Sequence, residues 1–457
     1  MISLYREGIF LLEKDKIRKV LRLAIPAVGE MLLYMLVWVV DTAFVGNYGG
    51  NIAVSSVGFA SEIIYTIVNI FIPSGISIGI TTMVAQSIGA DDYDTAEKYL
   101  SHGLVIGTVI AAIITAILFT FPHQILKIAG SSGQVLYYGS IFIKIASIGA
   151  FFNMISSMLN SGLRGAGNTV IPLIVSVIVN IITISLDWIL IFGRFGMRPL
   201  GIVGSAIATT AAYASGFIFL VFYYRHYSNF KIRLRYFKNI SKAYTKNIIK
   251  VAFPSGLQEG AFDISRLMSL SLIMCLGTVA FAANQITTTI ESISFMPGYG
   301  FAVAATALVG QRIGARDFKM AREYAYLSVI FGTGIMLLCS FLFITIPGPL
   351  IKLFIKEKET IELGKLCLMV ASIEQPFMAV SMVFGGALKG AGDAKTPFII
   401  SLISSWIIRV PLIYCSVFIL KLDVVYIWAI TAIQWGFECV VLTHIFNRKS
   451  KEWYKKY

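Results

Sequence analysis

Two carboxylates stand in otherwise apolar runs of the first half of the chain, Asp41 and Asp187. Inserting an ionisable side chain deep in a membrane span costs on the order of 3 kcal/mol, so one found there is a functional candidate by default. Each acid ends a polar stripe at helical spacing. Glu30, Tyr34, Val37 and Asp41 share one helix face, as do Ser176, Asn180, Thr183 and Asp187, and a third run carries Ser205, Thr209 and Tyr213. Carboxylates, amides and hydroxyls are hard oxygen ligands that suit a small cation, and a carboxylate in apolar surroundings can also hold a proton. Either property provides an ion-coupling site, and the alternative use of the acids is hydrogen bonding between helices.

The second half places Glu259, Asp263 and Arg266 on one helix face and Arg409 on a later run. They read as an internal ion-pair network, or with Asp263 or Glu259 as a second coupling or substrate contact. Glu291 precedes Pro297 in a long run and either faces a cavity or pairs with a base. Tyr34, Glu30 and Met154 are further cavity candidates, since aromatic faces attract cations and methionines give adaptable walls, although core packing is the default for both. Pro26, one turn before Glu30, reads as a hinge or as a static kink.

The elements that carry these residues are membrane helices. Hydrophobic residues make up 57% of the 457, charged residues only 14%, and the mean hydropathy is +0.79. A soluble domain carries about a quarter charged residues, and a span needs roughly 20 apolar ones. Twelve runs can be drawn, near 18–45, 53–86, 95–121, 134–161, 168–192, 200–226, 248–274, 279–309, 320–345, 361–388, 396–419 and 424–446. The second and eighth are long and hold Pro73 with Gly75 and Gly79, and Pro297 with Gly298 and Gly300, so tilted or kinked helices are expected. The five cysteines lie in apolar runs without ligand spacing, and the four histidines are scattered. No nucleophile motif, metal centre or phosphate-cradling loop is evident, which argues against an enzyme and against ATP-driven transport.

The formal charge of +14 does not indicate nucleic acid. Basic residues gather at both ends and between 225 and 246, and the alternate loops bring about 25 Lys/Arg to one side against about 7 on the other. The expectation is a cell-membrane protein with both termini cytoplasmic.

A repeat organises the chain. Gln86 in AQSIGA and Gln311 in GQRIGA are 225 residues apart, as are Arg164 in LRGAGN and Lys389 in LKGAGD. The fold expected is therefore an all-α integral membrane protein of twelve helices in two six-helix bundles related by duplication. The first lobe covers 1–228, a linker 229–247 and the second lobe 248–457. At this offset Asp187 corresponds to Leu412 and Asn180 to Ser405, so the acidic site is not duplicated.

These segments resemble the multidrug and toxic compound extrusion (MATE) family. The resemblance lies in Val40-Asp41-Thr42 through Gly46, the two Leu-Arg/Lys-Gly-Ala-Gly blocks, Leu186 to Gly193, Gly204 to Thr209, and Leu308 to Gln311. It implies a two-lobe antiporter exporting organic compounds, often cationic and aromatic, in exchange for H⁺ or Na⁺. No other cofactor is implied. The first-helix acid points to the DinF-like rather than the NorM-like branch. By the same resemblance Asp41, Asn180, Asp187 and Thr209 form a first-lobe cation site, with Thr183 where many relatives carry Asn. Met378 stands roughly where the NorM-like branch has an acid. The expected partners are small organic molecules and the bilayer, with the monomer sufficient. The alternative is a flippase or exporter of a lipid-linked or other amphipathic metabolite from the same superfamily.

Overall fold

The computed structural model describes residues 13–228, 230–231, 233, 236 and 241–453. Much of the expected linker, with Arg235 and Lys238, lies outside the described residues, as do Arg6, Lys455 and Lys456. The described residues are helical, without strands. Helix α1 (Lys14–Phe71) runs through a π turn (Ile72–Ile76) into α2 (Ser77–Gly89). Then come α3 (Tyr93–Thr120), α4 (Pro122–Ile128), α5 (Gly133–Gly165), α6 (Val170–Phe192) and α7 (Ile202–His226). The second half has α8 (Lys242–Met274), α9 (Thr278–Gly314), α10 (Phe318–Thr345), α11 (Pro347–Lys352) and α12 (Lys358–Gly390). It ends with α13 (Lys395–Ile403), a π turn (Ser404–Arg409), α14 (Val410–Tyr414), a second π turn (Cys415–Ile419) and α15 (Val424–Trp453).

Among the described residues ten continuous helical runs are long and apolar enough to cross a membrane. The first, Lys14–Gly89, holds two spans, because the backbone leaves helical geometry at Gly50, where φ is 60° and ψ −150°. Helix α8 supplies the twelfth expected span; Glu259, Asp263 and Arg266 give it too much charge for the apolar runs. Pro73 falls in the π turn, the one-turn widening by which a membrane helix absorbs a missing N–H. Pro297, in contrast, lies inside continuous α9.

The repeat is written into the packing at the same 225-residue offset. Asp92 caps α3 by accepting from the Thr95 amide, and Asp317 caps α10 by accepting from that of Met320. Before these caps Asp91 and Arg316 take φ of 58° and 57°. The Thr81 hydroxyl donates to the Ser161 carbonyl at 3.1 Å, and that of Thr306 donates to the Gly386 carbonyl at 2.9 Å. A Cβ on Gly165 would lie 2.8 Å from the Thr81 carbonyl oxygen, and one on Gly390 2.3 Å from that of Thr306. Each threonine thus clamps two helices together where a glycine lets the backbones touch.

The chain divides into two compact units, Gly29–Gly256 and the combination of Met1–Val28 with Leu257–Tyr457. The division falls inside α1, two residues after Pro26, and inside α8, two residues after Pro254. Val20, Leu23 and Ala24 of α1 are buried in one cluster with Phe301, Leu308, Tyr324 and Phe446, and Lys16 pairs with buried Glu323 at 2.7 Å. Correspondingly, the first turns of α8 pack in the other unit, where Ile248 and Ala252 lie against Gly79. Just ahead of them the Ser241 amide donates to His102 Nε2 at 2.9 Å, and Arg233 pairs with Glu97 at 2.6 Å. One of the scattered histidines therefore has a structural task.

Candidate functional site

Within the unit Gly29–Gly256, α1, α6 and α7 bring their polar stripes together. Asp41 is buried and accepts a hydrogen bond of 2.6 Å from the Ser205 hydroxyl of α7. Asp187 of α6 is fully buried and close enough to Asp41 for their charges to interact. Among the described residues neither Asp187 oxygen has a hydrogen-bond partner, and the Asn180 side-chain oxygen has none either. The Asn180 amide donates its N–H to the Ser176 carbonyl at 2.8 Å. Thr183 donates to the Val179 carbonyl at 2.9 Å, leaving its oxygen lone pairs as acceptors. Thr209 is half-buried one turn after Ser205 on the same face. Buried polar groups in proteins almost always have partners, so the two orphaned Asp187 oxygens beside Asp41, with the Asn180 oxygen two turns earlier on the same face of α6, offer acceptors suited to a positive charge. The donor set fits either a proton or a small hard cation.

The remaining candidates fall elsewhere. Glu30, expected near a cavity, is buried and receives Arg164 at 2.6 Å, a contact fixed inside the unit. Met154 is fully buried. Tyr34 keeps 44% of its surface exposed and stands with Tyr213 of α7, whose phenol is also within electrostatic reach of Asp41. Pro26 lies in the other unit, next to the division in α1.

In the unit that contains α9 to α15, Asp263 lies 3.6 Å from Arg266, and Glu259 interacts with Lys389. Glu291 has a partner the sequence reading did not single out: Glu374 of α12, one turn before Met378, whose carboxyl group is within hydrogen-bonding reach. Two carboxyl groups can share a hydrogen bond only through a proton. Arg409, on the π turn, and Glu438 of α15 complete the group, and Glu438 accepts from Ser404 and, at 3.4 Å, from Gln434. The sequence reading missed both acids although each stands in an apolar run, and Glu438 also ends a stripe with Thr431 and Gln434 at helical spacing, which was the available signal.

The architecture and this inventory have known relatives. A family model described as MatE matches residues 26–189 and 254–415, once in each half of the chain. The chain belongs to the MatE family. It is 30% identical, over 93% of its length and 91% of the relative's, to a protein named probable multidrug resistance protein NorM from Thermotoga maritima. It is 25% identical to the uncharacterized transporter YisQ of Bacillus subtilis, covering 88% and 87% of the two chains. Among solved structures, a MOP superfamily transporter from Pyrococcus furiosus superposes with a TM-score of 0.90 at 21% identity, over 99% of both chains. A MATE structure in complex with MaL6 gives 0.90 at 20% identity, over 98% of this MatE chain and all of that one. The family match and these likenesses confirm the all-helical duplicated fold of a multi-pass membrane transporter, a transporter family and not an enzyme class, in agreement with the sequence expectation.

Proposed function

We propose that the chain is a secondary active exporter of organic, often cationic and aromatic compounds, driven by H⁺ or Na⁺ through Asp41, Asp187 and Asn180. The observation that carries this reading is the pair of orphaned, buried Asp187 oxygens near the Asp41–Ser205 bond, with a further orphaned oxygen on Asn180 of the same helix face. A site of this kind is costly when empty and becomes favourable when a cation neutralises it. The multidrug names of relatives such as the Thermotoga maritima NorM support the substrate class. Cation entry neutralises the carboxylates and changes the packing of α1, α6 and α7, and this lowers the affinity for substrate. Export then follows from opposite effects of the two ligands on one equilibrium, as alternating-access transporters of duplicated build require. Both termini are placed in the cytoplasm by the distribution of basic residues. The flippase reading is less well supported, because the open charges of this unit are acidic rather than basic.

Efflux of a fluorescent organic cation from everted vesicles, under separately imposed proton and sodium gradients, tests the reading. Transport driven by one gradient and abolished in both Asp41→Asn and Asp187→Asn is expected. Transport that survives in both variants would overturn the assignment of the site.

A further inference from the structure

Glu62 lies on α1, twelve residues beyond the break at Gly50, roughly 18 Å along the axis at 1.5 Å per residue. That depth is inside the hydrocarbon region, where a carboxylate requires a reason. The coupling site does not use it. Its surroundings are aromatic. Tyr65 follows on the same helix face three residues later, and the Tyr34 and Tyr65 rings stand 6.2 Å apart with an interplanar angle of 42°. Tyr34 is within electrostatic reach of Glu62, Tyr65 and Tyr213, and Tyr213 in turn of Asp41. All of these residues belong to one compact unit. Tyr34 and Tyr65 are 44% and 40% exposed.

Exposed aromatic faces around a carboxylate are the recognition chemistry of an organic cation: the rings attract it through their quadrupoles and the acid supplies the counter-charge. A neutral substrate would gain nothing from the acid and would suffer from its desolvation. We propose that Glu62, with Tyr34, Tyr65 and Tyr213, forms the subsite that selects organic cations, and that Tyr213 links it to Asp41. The proposal rests on the antiport reading of the Asp41 and Asp187 site and adds to it the group that reads the charge of the cargo. The linkage is electrostatic: Tyr213 interacts with both Tyr34 and Asp41, so a cation at either place is felt at the other.

The test uses full-length protein in proteoliposomes, with ethidium and tetraphenylphosphonium as probes under the gradient that drives the wild type. In Glu62→Gln the KM for both probes should rise at least tenfold with kcat within about twofold, and Glu62→Asp should recover most of the loss. Tyr65→Leu should raise KM in the same way, which keeps the proposal open to refutation if Glu62→Gln does not fold. An unchanged KM in folded Glu62→Gln and in Tyr65→Leu overturns it while leaving the antiport reading intact. If the wild type moves neither probe under either gradient, the antiport reading fails. Binding of tetraphenylphosphonium to the same preparations then decides the subsite alone: a Kd tenfold weaker in Glu62→Gln supports it, and equal Kd values overturn it.

Discussion

Replacing Asp187 by leucine separates a coupling acid from a structural one. In the fold the carboxylate has no exposed surface and, among the described residues, no hydrogen-bond partner on either oxygen. Leaving a buried polar group unsatisfied costs about 1–3 kcal/mol, and more when it is charged. Leucine is close in shape, and the duplicated half carries Leu412 at the corresponding position. Asp187→Leu should therefore stabilise the protein by about 1–3 kcal/mol while abolishing ion-driven efflux, the usual sign of a residue kept for function at a cost in stability. A unit of this size gains about 2–4 °C in Tm per kcal/mol, so the rise should be a few degrees. Thermal unfolding in detergent without sodium, paired with vesicle efflux, measures both quantities. Adding sodium to the wild type should raise its Tm if sodium is the coupling ion, and this increment should vanish in Asp187→Leu. A fall in Tm with efflux retained would refute the reasoning, because it would show that Asp187 holds helices together.

Arg164→Ala should cost about 3–5 kcal/mol, since it leaves Glu30 buried without its counter-ion; the pair Glu30→Gln with Arg164→Met should restore most of the yield of folded protein. Gly390→Ala should destabilise by about 1–3 kcal/mol, because its Cβ would meet the Thr306 carbonyl at 2.3 Å, whereas Gly334→Ala, with nothing within 4 Å, should be neutral or stabilising in the same melting assay. Glu374→Gln should leave the fold intact and change the pH dependence of efflux if the Glu291–Glu374 pair exchanges its shared proton during transport; an unchanged profile would make the pair structural. In the loop before α13, burial opposes ionisation of Asp393, but Lys449 and Thr396 outweigh it and hold the carboxyl below its usual range. A depressed folded value stabilises at neutral pH and is lost as the pH falls through it. The Tm advantage of the wild type over Asp393→Asn should thus be full near neutral pH and disappear as the pH falls through the depressed value; an advantage that persists unchanged into acid would refute the assignment.

The duplication was legible because it rests on local chemistry. A cap residue and a left-handed residue before it must recur wherever the same turn recurs, and small residues must recur wherever the same helices touch. The first-unit acids were legible because their polar neighbours keep helical spacing, so one face could be drawn before any partner was known. Ser205 was seen in its stripe but not as the donor to Asp41, since spacing gives a face and not the residue opposite. Glu62, Glu374 and Glu438 escaped for a related reason. Each is a single acid in an apolar run, and the groups that give it meaning, Tyr34 and Tyr213 for Glu62, the second carboxyl group for Glu374 and the arginine for Glu438, come from distant parts of the chain. The expected domain boundaries followed charge and loop composition, whereas the division into units follows packing and falls within α1 and α8. Nothing in the periodicity of a continuous helix marks where its neighbours change.

That exchange of helix beginnings has a consequence for biosynthesis. Val20, Leu23 and Ala24 leave the ribosome first, yet Phe301 and the other residues that bury them come about 280 residues later. At about 5–20 residues per second, the opening turns of α1 wait for roughly 15 to 60 seconds in the membrane for their partners. The unit Gly29–Gly256 in turn closes only when Ile248 and Ala252 have been made. Neither half of the gene encodes a complete half of the molecule, so the first product on the way to the native state is a chain whose leading end belongs to something not yet synthesised.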